Sequence, residues 1–276
     1  MSFTTAFIGG TGMEKLFDGQ HQQHEINTPY GPVHYSIVLN KGIEFVVVDR
    51  HYASGSFRLP HQIDHRAYMY ALTVVLGVKF IISTSAVGGI NGNAFQSIKT
   101  GSLVLPADFI DLTREVWTFA TEDFVHPEAF HRSTKDMICP RIQELLRQGT
   151  LGSLPGGILA CAVKGPRYET RPEVIDAQEL HHADLLGMCT VVPEIILARE
   201  ASVHYGLICN VTDMPLKERP VEGAAVQTAA KENHGFIINM VWPAIMSLQS
   251  HADQEFSSCE CQKQPAVFEI VKRVED

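Results

Sequence analysis

Two segments of the sequence combine side chains that could hold a planar molecule and act on it. The first, residues 163–170, contains Tyr168 and Glu169, which place an aromatic face beside a carboxyl group. The second, residues 210–213, places Asp213 at the end of an apolar, strand-like run. A carboxyl group fixed at the end of a buried strand is partly desolvated, and desolvation favours the protonated form that general acid catalysis needs. The two segments therefore predict a site that binds a ring and protonates it.

Three further segments end strand-like runs with residues suited to binding an anion. Residues 9–12 (Gly-Gly-Thr-Gly) could offer backbone N–H groups and the Thr11 hydroxyl. Arg50 and His51 end another run, and arginine presents a fork of donors that matches phosphate. The small residues of 85–89 allow close approach of the backbone to a ligand. Each segment alone could be a tight turn or an exposed ion pair, but together they indicate one anion site.

Several other site types do not fit the sequence. A dinucleotide-binding fingerprint would need glycine where Lys15 stands, and the Gly-Lys-Ser/Thr of a Walker A loop is missing. His61 and His65 have zinc-ligand spacing, but the glutamate of a zinc protease and a third ligand are missing, so we expect a solvated or ligand-lining helix face. The sequence has no Gly-x-Ser-x-Gly elbow, which disfavours an α/β-hydrolase.

The composition limits which binding partners and which cellular compartment we expect. A net charge of −9 disfavours nucleic acid, whose phosphates are bound by clustered Lys and Arg. No apolar run approaches the roughly 20 residues that cross a bilayer, and the first residues lack the features of a signal peptide. We therefore expect a cytoplasmic protein with no membrane partner.

The cysteines are too sparse for a disulfide scaffold, since there are six in 276 residues. Cys259 and Cys261 form a Cys-x-Cys pair near the C-terminus, for which a redox or metal role is open. The sequence shows no second pair of ligands beside it. We expect buried thiols at the remaining four, Cys139, Cys161, Cys189 and Cys209.

Strand-like and helix-like segments alternate along the chain. Runs rich in Val and Ile, typical of strands buried on both faces, occupy residues 6–8, 35–39, 45–48, 80–83, 102–105, 157–163 and 205–211. Helical patterns occupy residues 60–76, 140–148, 172–181, 193–202 and 226–249. This alternation predicts a single α/β domain with a central, mostly parallel sheet. We assign residues 1–250 to the domain and residues 251–276 to a C-terminal extension that packs weakly or joins subunits.

The ordered set of segments resembles the purine nucleoside phosphorylase and methylthioadenosine phosphorylase family. The matching segments are residues 8–12, 49–51, 84–89, 101–105, 109–113, 163–170, 187–194 and 210–213. The resemblance implies a nucleoside phosphorylase domain with a twisted mixed sheet flanked by helices. It also implies cleavage of purine nucleosides by inorganic phosphate, with no metal or organic cofactor. A homotrimer is implied too, or a dimer of trimers, with each site completed by a neighbouring subunit.

The resemblance also assigns roles to residues. Asp213 would be the catalytic residue, protonated and bonded near purine N7. Phosphate would be held by Thr11, Arg50, His51, Ser85, the backbone of Ala86, and Thr190. The base and sugar would contact Tyr168, Glu169, Met188, Cys189, Val226 (at the 5′ substituent) and His131, which would reach across a subunit interface.

The identity of the base stays open. Adenine-specific relatives typically have Thr-Asp-Tyr-Asp where this chain has Thr212-Asp213-Met214-Pro215, so the second acidic group is missing. Glu169 resembles the glutamate of 6-oxopurine enzymes, although those enzymes commonly have asparagine at the position of Asp213. We expect a 6-oxopurine or mixed specificity, with a 5′-methylthio substituent as in methylthioinosine or methylthioadenosine.

Two departures from the family pattern keep other functions in view. Tyr52 stands where glycine is usual, and His65 stands where a tyrosine near the ribose is usual. The alternatives are a purine-binding protein without turnover and a nucleoside hydrolase that uses water. Cleavage only with phosphate would indicate a phosphorylase, and cleavage without phosphate a hydrolase. Binding without cleavage would indicate a purine-binding protein.

Overall fold

The computed structural model describes residues 3–13, 16–53, 56–91, 98–120, 131–150, 154–188, 190–217, 220–250 and 256–268. The strands are β1 Thr5–Gly9, β2 Gln20–Thr28, β3 Gly31–Asn40, β4 Ile43–Asp49, β5 Tyr52–Ala53, β6 Ser56–Phe57, β7 Phe80–Gly89, β8 Leu103–Val104, β9 Asp108–Asp111, β10 Ile158–Val163, β11 Leu185–Met188 and β12 His204–Asp213. The helices are α1 His65–Tyr70, α2 Pro140–Gln148, α3 Arg171–Glu179, α4 Val192–Glu200, α5 Gly223–Glu232 and α6 His234–Ser250. Among the described helices, none is both long and apolar enough to span a membrane.

Ten of the described strands form one mixed sheet in the order β2-β3-β4-β1-β7-β11-β10-β9, with β12 paired to both β7 and β8. At its centre, β4, β1, β7 and β12 are parallel. The segment β2–β3–β4 adds antiparallel strands at one side, and β11 pairs with the end of β7 in the antiparallel sense. The predicted α/β domain with a mostly parallel mixed sheet is therefore confirmed.

The central strand β12 shows how the two faces of the sheet are filled. Its side chains alternate between faces because successive residues of a strand point in opposite directions. Tyr205 and Leu207 belong to the apolar cluster that contains residues of α1 and α4. Ile208 belongs to the cluster that contains residues of α2 and α6. At Gly206 a side chain would overlap Ile142 of α2, so glycine lets that helix lie directly on the strand.

The predicted helix over residues 60–76 is interrupted. A 3-10 turn at Pro60–Gln62 precedes α1, and the Asp64 side chain caps α1 by accepting a hydrogen bond from Ala67 N at 3.2 Å. His61 is exposed in the 3-10 turn, whereas His65 is buried at the start of α1. The expectation that both histidines share one exposed or ligand-lining helix face is therefore wrong, because the Asp64 cap starts a new helix between them.

The described part of the C-terminal segment packs on the domain instead of packing weakly. Phe256 is 3% exposed and meets Phe80 edge-on, with ring centroids 4.8 Å apart. Arg199 Nη1 donates to Glu260 O at 2.8 Å, and Ser202 Oγ donates to Gln264 O at 2.6 Å. Residues 256–268 therefore contact the end of α4 and the start of β7.

Candidate active site

A cavity of about 500 Å³ opens where the central parallel strands end. The carboxyl ends of parallel strands meet at one edge of a sheet, so loops distant in the sequence converge there. The predicted site residues that line the cavity are Thr11, Arg50, His51, Ser85, Ala86, Tyr168, Glu169, Met188, Thr190, Asp213 and Val226.

Two predicted site residues are not placed in this cavity. Cys189 lies outside the described residues. His131 is exposed and does not line the cavity, and its backbone carbonyl accepts a hydrogen bond from Gln264 Nε2 at 3.3 Å. Its contact with a neighbouring subunit stays a prediction.

Arg50 enters the cavity from a buried ion pair with Glu194. Arg50 Nε lies 2.8 Å from Glu194 Oε1, and both side chains are 0% exposed. Arg50 Nη2 donates to Glu194 Oε2 at 3.0 Å, and Nη1 donates to Thr84 O at 2.8 Å. A buried ion pair needs such saturation, because removing two charges from water is costly unless their hydrogen bonds are replaced. The guanidinium is therefore held in one orientation at the end of β4.

Glu194 is itself fixed by three hydroxyl groups. Its carboxylate accepts hydrogen bonds from Tyr68 and Tyr205 at 2.6 Å each and from Ser83 Oγ at 2.8 Å. Burial, together with the negative charge of Glu194, raises the pKa of both tyrosines, which keeps them protonated as donors. Glu194 lies in the segment 187–194 that resembles the family, but no role was predicted for it. The available signal was an acidic residue in the first turn of α4, followed by four apolar residues.

The loop after β1 is held against β7. Gly10 N donates to Thr84 Oγ1 at 2.9 Å, and a Cβ at Gly10 would stand 2.6 Å from Thr84 O. Gly12 has a φ of +81°, where glycine carries no steric penalty. A Cβ there would also lie 2.7 Å from Ala230. The glycines thus let the loop fit between the sheet and α5, with Thr11 facing the cavity.

His51 lies beside Arg50 as a neutral imidazole. Its Nδ1 is 3.1 Å from Arg58 O, and a carbonyl oxygen only accepts, so Nδ1 carries the hydrogen. Its Nε2 then offers a lone pair, 3.5 Å from the Thr11 hydroxyl. Phe57 stacks on the ring at a centroid distance of 5.5 Å. Burial and the charge of Arg50 lower the pKa of His51 to about 4.

The two residues that depart from the family pattern lie outside the cavity lining. Tyr52 is 41% exposed and packs edge-on against Phe57 in the short β5–β6 hairpin. His65 is 1% exposed and packs against Trp117 with centroids 5.2 Å apart. Burial and the charge of Arg50 lower the pKa of His65 to about 3.

The two buried histidines predict a loss of stability in acid. The pKa values of about 4 for His51 and about 3 for His65 lie below the ordinary value of 6.5. At a pH between the folded value and 6.5, the unfolded chain therefore binds more protons than the folded protein. Stability is therefore complete above pH 6.5 and falls as the pH drops toward 4. At pH 5 the loss is about 2 kcal/mol per histidine. Urea unfolding at pH 8 and pH 5 measures it.

Two variants test whether His65 causes part of this pH dependence of stability. His65→Asn should remove about half of the difference in unfolding free energy between the two pH values. His61→Asn, at an exposed histidine nearby, should leave the difference unchanged. An unaltered pH dependence in His65→Asn would contradict the assignment.

Asp213 reaches the cavity through a bulge in β12. Val211 lies opposite Val87 of β7, whereas Asp213 lies opposite the next residue, Gly88, so Thr212 is an additional residue. Bulges of this kind redirect a side chain at the end of a strand and are common next to active sites. Thr212 Oγ1 donates to Asp213 Oδ1 at 3.1 Å. The bulge therefore orients the carboxyl group that the sequence predicted as the acid.

Tyr168 and Glu169 are positioned by the cap of α3. The Thr170 hydroxyl accepts a hydrogen bond from Glu173 N at 3.4 Å, and Glu173 Oε2 accepts one from Thr170 N at 2.7 Å, which is a capping box. Arg167 holds Glu173 with two bonds, of 2.8 and 2.7 Å. This rigid turn places Tyr168 and Glu169 on the wall of the cavity. Burial, followed by the charge of Asp213, raises the pKa of Glu169.

The opposite wall, which includes Val226, belongs to α5. A buried amide pair fastens this helix to β12, since Asn233 Nδ2 donates to Asn210 Oδ1 at 2.7 Å. Asn210 Nδ2 in turn donates to Ala230 O at 3.0 Å. The same Asn233 ends α5 and splits the predicted helix 226–249 into α5 and α6.

The cavity has further lining residues to which no individual role was assigned from the sequence. Most are apolar, proline or glycine residues, whose types carry no chemical signal. They are Phe57, Leu59, Pro60, Val87, Gly88, Pro166, Leu186, Gly187, Thr212, Pro215, Pro220, Val221, Gly223 and Gln227.

The family profile, the curated relatives and the solved structure that are similar to this chain are all phosphorylases. The sequence profile of the Phosphorylase superfamily matches residues 4–245. The S-methyl-5′-thioadenosine phosphorylase of Hyperthermus butylicus is 36% identical over 265 residues, which are 92% of each chain. The probable S-methyl-5′-thioinosine phosphorylase of Methanopyrus kandleri is 34% identical over 75% of this chain and 77% of its own. A solved methylthioadenosine phosphorylase from an antarctic soil metagenomic library superposes with a TM-score of 0.74 at 26% identity, covering 95% of this chain and 90% of that one.

Proposed function

Because the chain belongs to the Phosphorylase superfamily, we propose that its cavity binds a purine nucleoside together with inorganic phosphate and cleaves the N-glycosidic bond. The substrates are methylthio-purine nucleosides, and the products are the free base and 5-methylthioribose 1-phosphate. The protein is then a pentosyltransferase of purine salvage. The observation that carries the proposal is that Arg50, predicted to bind the anion, and Tyr168, predicted to bind the ring, line one cavity.

Phosphate is expected to bind at the Arg50 side of this cavity. Arg50 supplies the permanent positive charge, and Thr11 and Ser85 add hydroxyl donors. Neutral His51 offers its Nε2 lone pair to the proton of a monoprotonated phosphate. Phosphate held here attacks C1′ of the ribose, and its negative charge stabilises the positive charge that develops on the sugar.

The purine is expected to bind between Tyr168 and Asp213. As the glycosidic bond breaks, its electron pair moves into the base, and a protonated Asp213 transfers its proton to N7 and becomes a carboxylate. That transfer neutralises the leaving group, and general acid catalysis of this type contributes a factor of about 10²–10⁴. Inorganic phosphate is the co-substrate, and no metal or organic cofactor takes part in the proposed reaction.

The function is tested by incubating the protein with methylthioadenosine, methylthioinosine, adenosine and inosine, each with and without phosphate. We expect release of free base only when phosphate is present, and faster release from the methylthio compounds. Equal cleavage without phosphate would indicate a hydrolase. Binding without release of base from any of the four would indicate a purine-binding protein.

We further propose that Glu169 gives the site a preference for 6-oxopurines. A 6-oxopurine carries a hydrogen on N1 that a carboxylate accepts, whereas adenine has a lone pair there. Beyond Asp213, Met214 is 5% exposed in the core and Pro215 lines the cavity, so these two positions offer no carboxylate to a 6-amino group. Mixed specificity remains compatible with Asp213, whose carboxyl group can serve either base.

The substitution Glu169→Gln tests this preference. We expect kcat/KM for methylthioinosine to fall by a factor of about 10–100, since a hydrogen bond to a charged group contributes about 1.5–3 kcal/mol. The value for methylthioadenosine should change less. The control is Glu179→Gln at the exposed end of α3. Glu173→Gln is unsuitable, because Glu173 belongs to the capping box that positions the loop with Glu169. An equal loss for both nucleosides would contradict base selection by Glu169.

The remaining parts of the proposal concern assembly and location. We propose a cytoplasmic homotrimer, or a dimer of trimers, in which His131 contacts the site of a neighbouring subunit and Val226 lines the pocket of the 5′-methylthio group. Cys189, next to Met188, would pack against the sugar. Light scattering of the purified protein measures the assembly. A monomer with full activity would contradict the role of His131.

A further inference from the structure

A second cluster of side chains lies at the opposite end of β12 from the cavity. His204 begins this strand and Asp213 ends it, so about 30 Å separate them at the usual rise per residue. Next to His204 lie Cys139, which precedes α2, and Cys259 of the C-terminal segment. All three side chains are buried. The cluster takes no part in the proposed phosphorolysis.

The ligand atoms of these three residues have the spacing of a metal site. Cys139 Sγ, a ring nitrogen of His204 and Cys259 Sγ lie within 4.8 Å of one another. Cys139 Sγ is 3.5 Å from His204 Nδ1. In a tetrahedral zinc site with a Zn–S bond of 2.3 Å and a Zn–N bond of 2.0–2.1 Å, the sulfur and nitrogen are about 3.5 Å apart. The observed separation therefore already matches one edge of the tetrahedron.

Cys261 is available as the fourth ligand. Its side chain is 3% exposed and interacts with that of Cys139, but it lies outside the group whose ligand atoms are all within 4.8 Å of one another. Its thiol would therefore move toward the ion on binding. Cys259 and Cys261 thus form the Cys-x-Cys pair of the sequence, and Cys139 with His204 forms the second pair that the sequence alone did not reveal. Three cysteines and one histidine are a standard ligand set for structural zinc.

The surroundings hold the ligands in place. The His204 ring stacks on Phe80 at a centroid distance of 5.1 Å and meets Phe256 edge-on at 4.9 Å. Cys139 N donates to Tyr205 O at 2.7 Å, which fixes the start of α2 against β12. Arg199 Nη1 donates to Glu260 O at 2.8 Å, so its guanidinium lies beside the residue that precedes Cys261. A zinc ion with three thiolates carries one net negative charge, which this cation balances.

We propose that Cys139, His204, Cys259 and Cys261 bind one Zn²⁺ ion, which fastens the C-terminal segment to the domain. The site joins three parts of the chain that are far apart in sequence: the start of α2, the start of β12 and the 3-10 turn at Glu260–Gln262. Zinc affinity becomes folding free energy when the unfolded chain does not preform the site. The ion would thus stabilise residues 256–268 without touching the cavity.

The first test uses the full-length wild-type protein, purified with a thiol reductant. We expect about one zinc per chain by atomic absorption. Cobalt added to chelator-stripped protein should give the thiolate charge-transfer and visible bands of a tetrahedral site. Stripping should accelerate tryptic cleavage at the exposed Lys263, and zinc should restore protection. Reduced, folded protein that binds neither zinc nor cobalt would overturn the proposal. So would a Cys139–Cys259 or Cys139–Cys261 disulfide that persists under these conditions.

A matched pair of variants then identifies the ligands. Cys259→Ser should lower zinc affinity at least about tenfold, since changes even to residues behind a metal ligand cost 10–100-fold. Cys209→Ser removes another buried thiol from the same strand as His204 and should keep wild-type zinc content. Unchanged zinc affinity in Cys259→Ser would overturn the ligand assignment. The wild-type comparison with and without metal keeps the test decisive if a variant folds poorly.

Discussion

Replacement of Asp213 by alanine is expected to lower kcat for phosphorolysis by at least about a hundredfold, the lower end of the contribution from a general acid. The fold should persist, because Asp213 is only partly buried and lies at the very end of β12. The variant should still bind phosphate, since Arg50 and its ion pair with Glu194 are untouched. Turnover is measured by release of free base at saturating substrate, and the fold by circular dichroism.

A second substitution at the same position separates charge from hydrogen bonding. Asp213→Asn keeps a donor toward N7 but cannot ionise, so it should retain more activity than the alanine variant and lose the dependence of kcat on the acid's protonation. Asp108→Ala, at an exposed aspartate at the start of β9, is the control and should match the wild type. Wild-type turnover in Asp213→Ala would remove this residue from the mechanism.

Replacement of Glu194 by glutamine is expected to affect both stability and phosphate binding. Removing one partner of a buried ion pair costs about 3–5 kcal/mol, because the other charge is left uncompensated in the interior. Here that charge is Arg50, and both side chains are fully buried. Tyr68 and Tyr205 would also each lose a charged acceptor. The guanidinium should then lose its fixed orientation, so KM for phosphate should rise while the KM for the nucleoside changes less.

Urea unfolding and phosphate titration of the rate measure the two effects. Glu200→Gln is the matched control, because it makes the same carboxyl-to-amide change at a buried position in the same helix. Glu200 lies at the other end of α4 from Glu194 and accepts a hydrogen bond from Phe119 N at 2.7 Å, so this variant should keep the wild-type KM for phosphate. A folded Glu194→Gln variant with the wild-type KM for phosphate would contradict the positioning role of Glu194.

Local signals in the sequence were sufficient for the elements that form the centre of the domain. The helix at Pro140–Gln148 was predicted with its observed bounds, because proline is favoured in the first turn and the apolar spacing is regular. The strand at residues 205–211 was predicted from its continuous apolar run and extends by one residue before it and two after. By contrast, β2 was not predicted, since its sequence Gln20–Thr28 is almost entirely polar and its residues are mostly exposed.

The cavity residues divide in a similar way. Arg50, Tyr168 and Asp213 were identified because each is a chemically distinctive residue at the end of a strand or the start of a helix. The partner Glu194 was not identified, because pairing across 144 positions depends on the sheet order and not on local pattern. The second pair of metal ligands, Cys139 and His204, was not predicted for the same reason. These residues come together beside Cys259 and Cys261 only when α2 packs on β12.

The ion pair between Arg50 and Glu194 joins two distant parts of the chain. The two residues are 144 positions apart, and Tyr205, which holds Glu194, comes later still. On the ribosome, the arginine at the end of β4 must wait for most of the chain to emerge before its counter-ion is available. Contacts of such long range form late, after the loop between them has closed. Phosphate bound at Arg50, as proposed above, would therefore stabilise only the nearly complete domain.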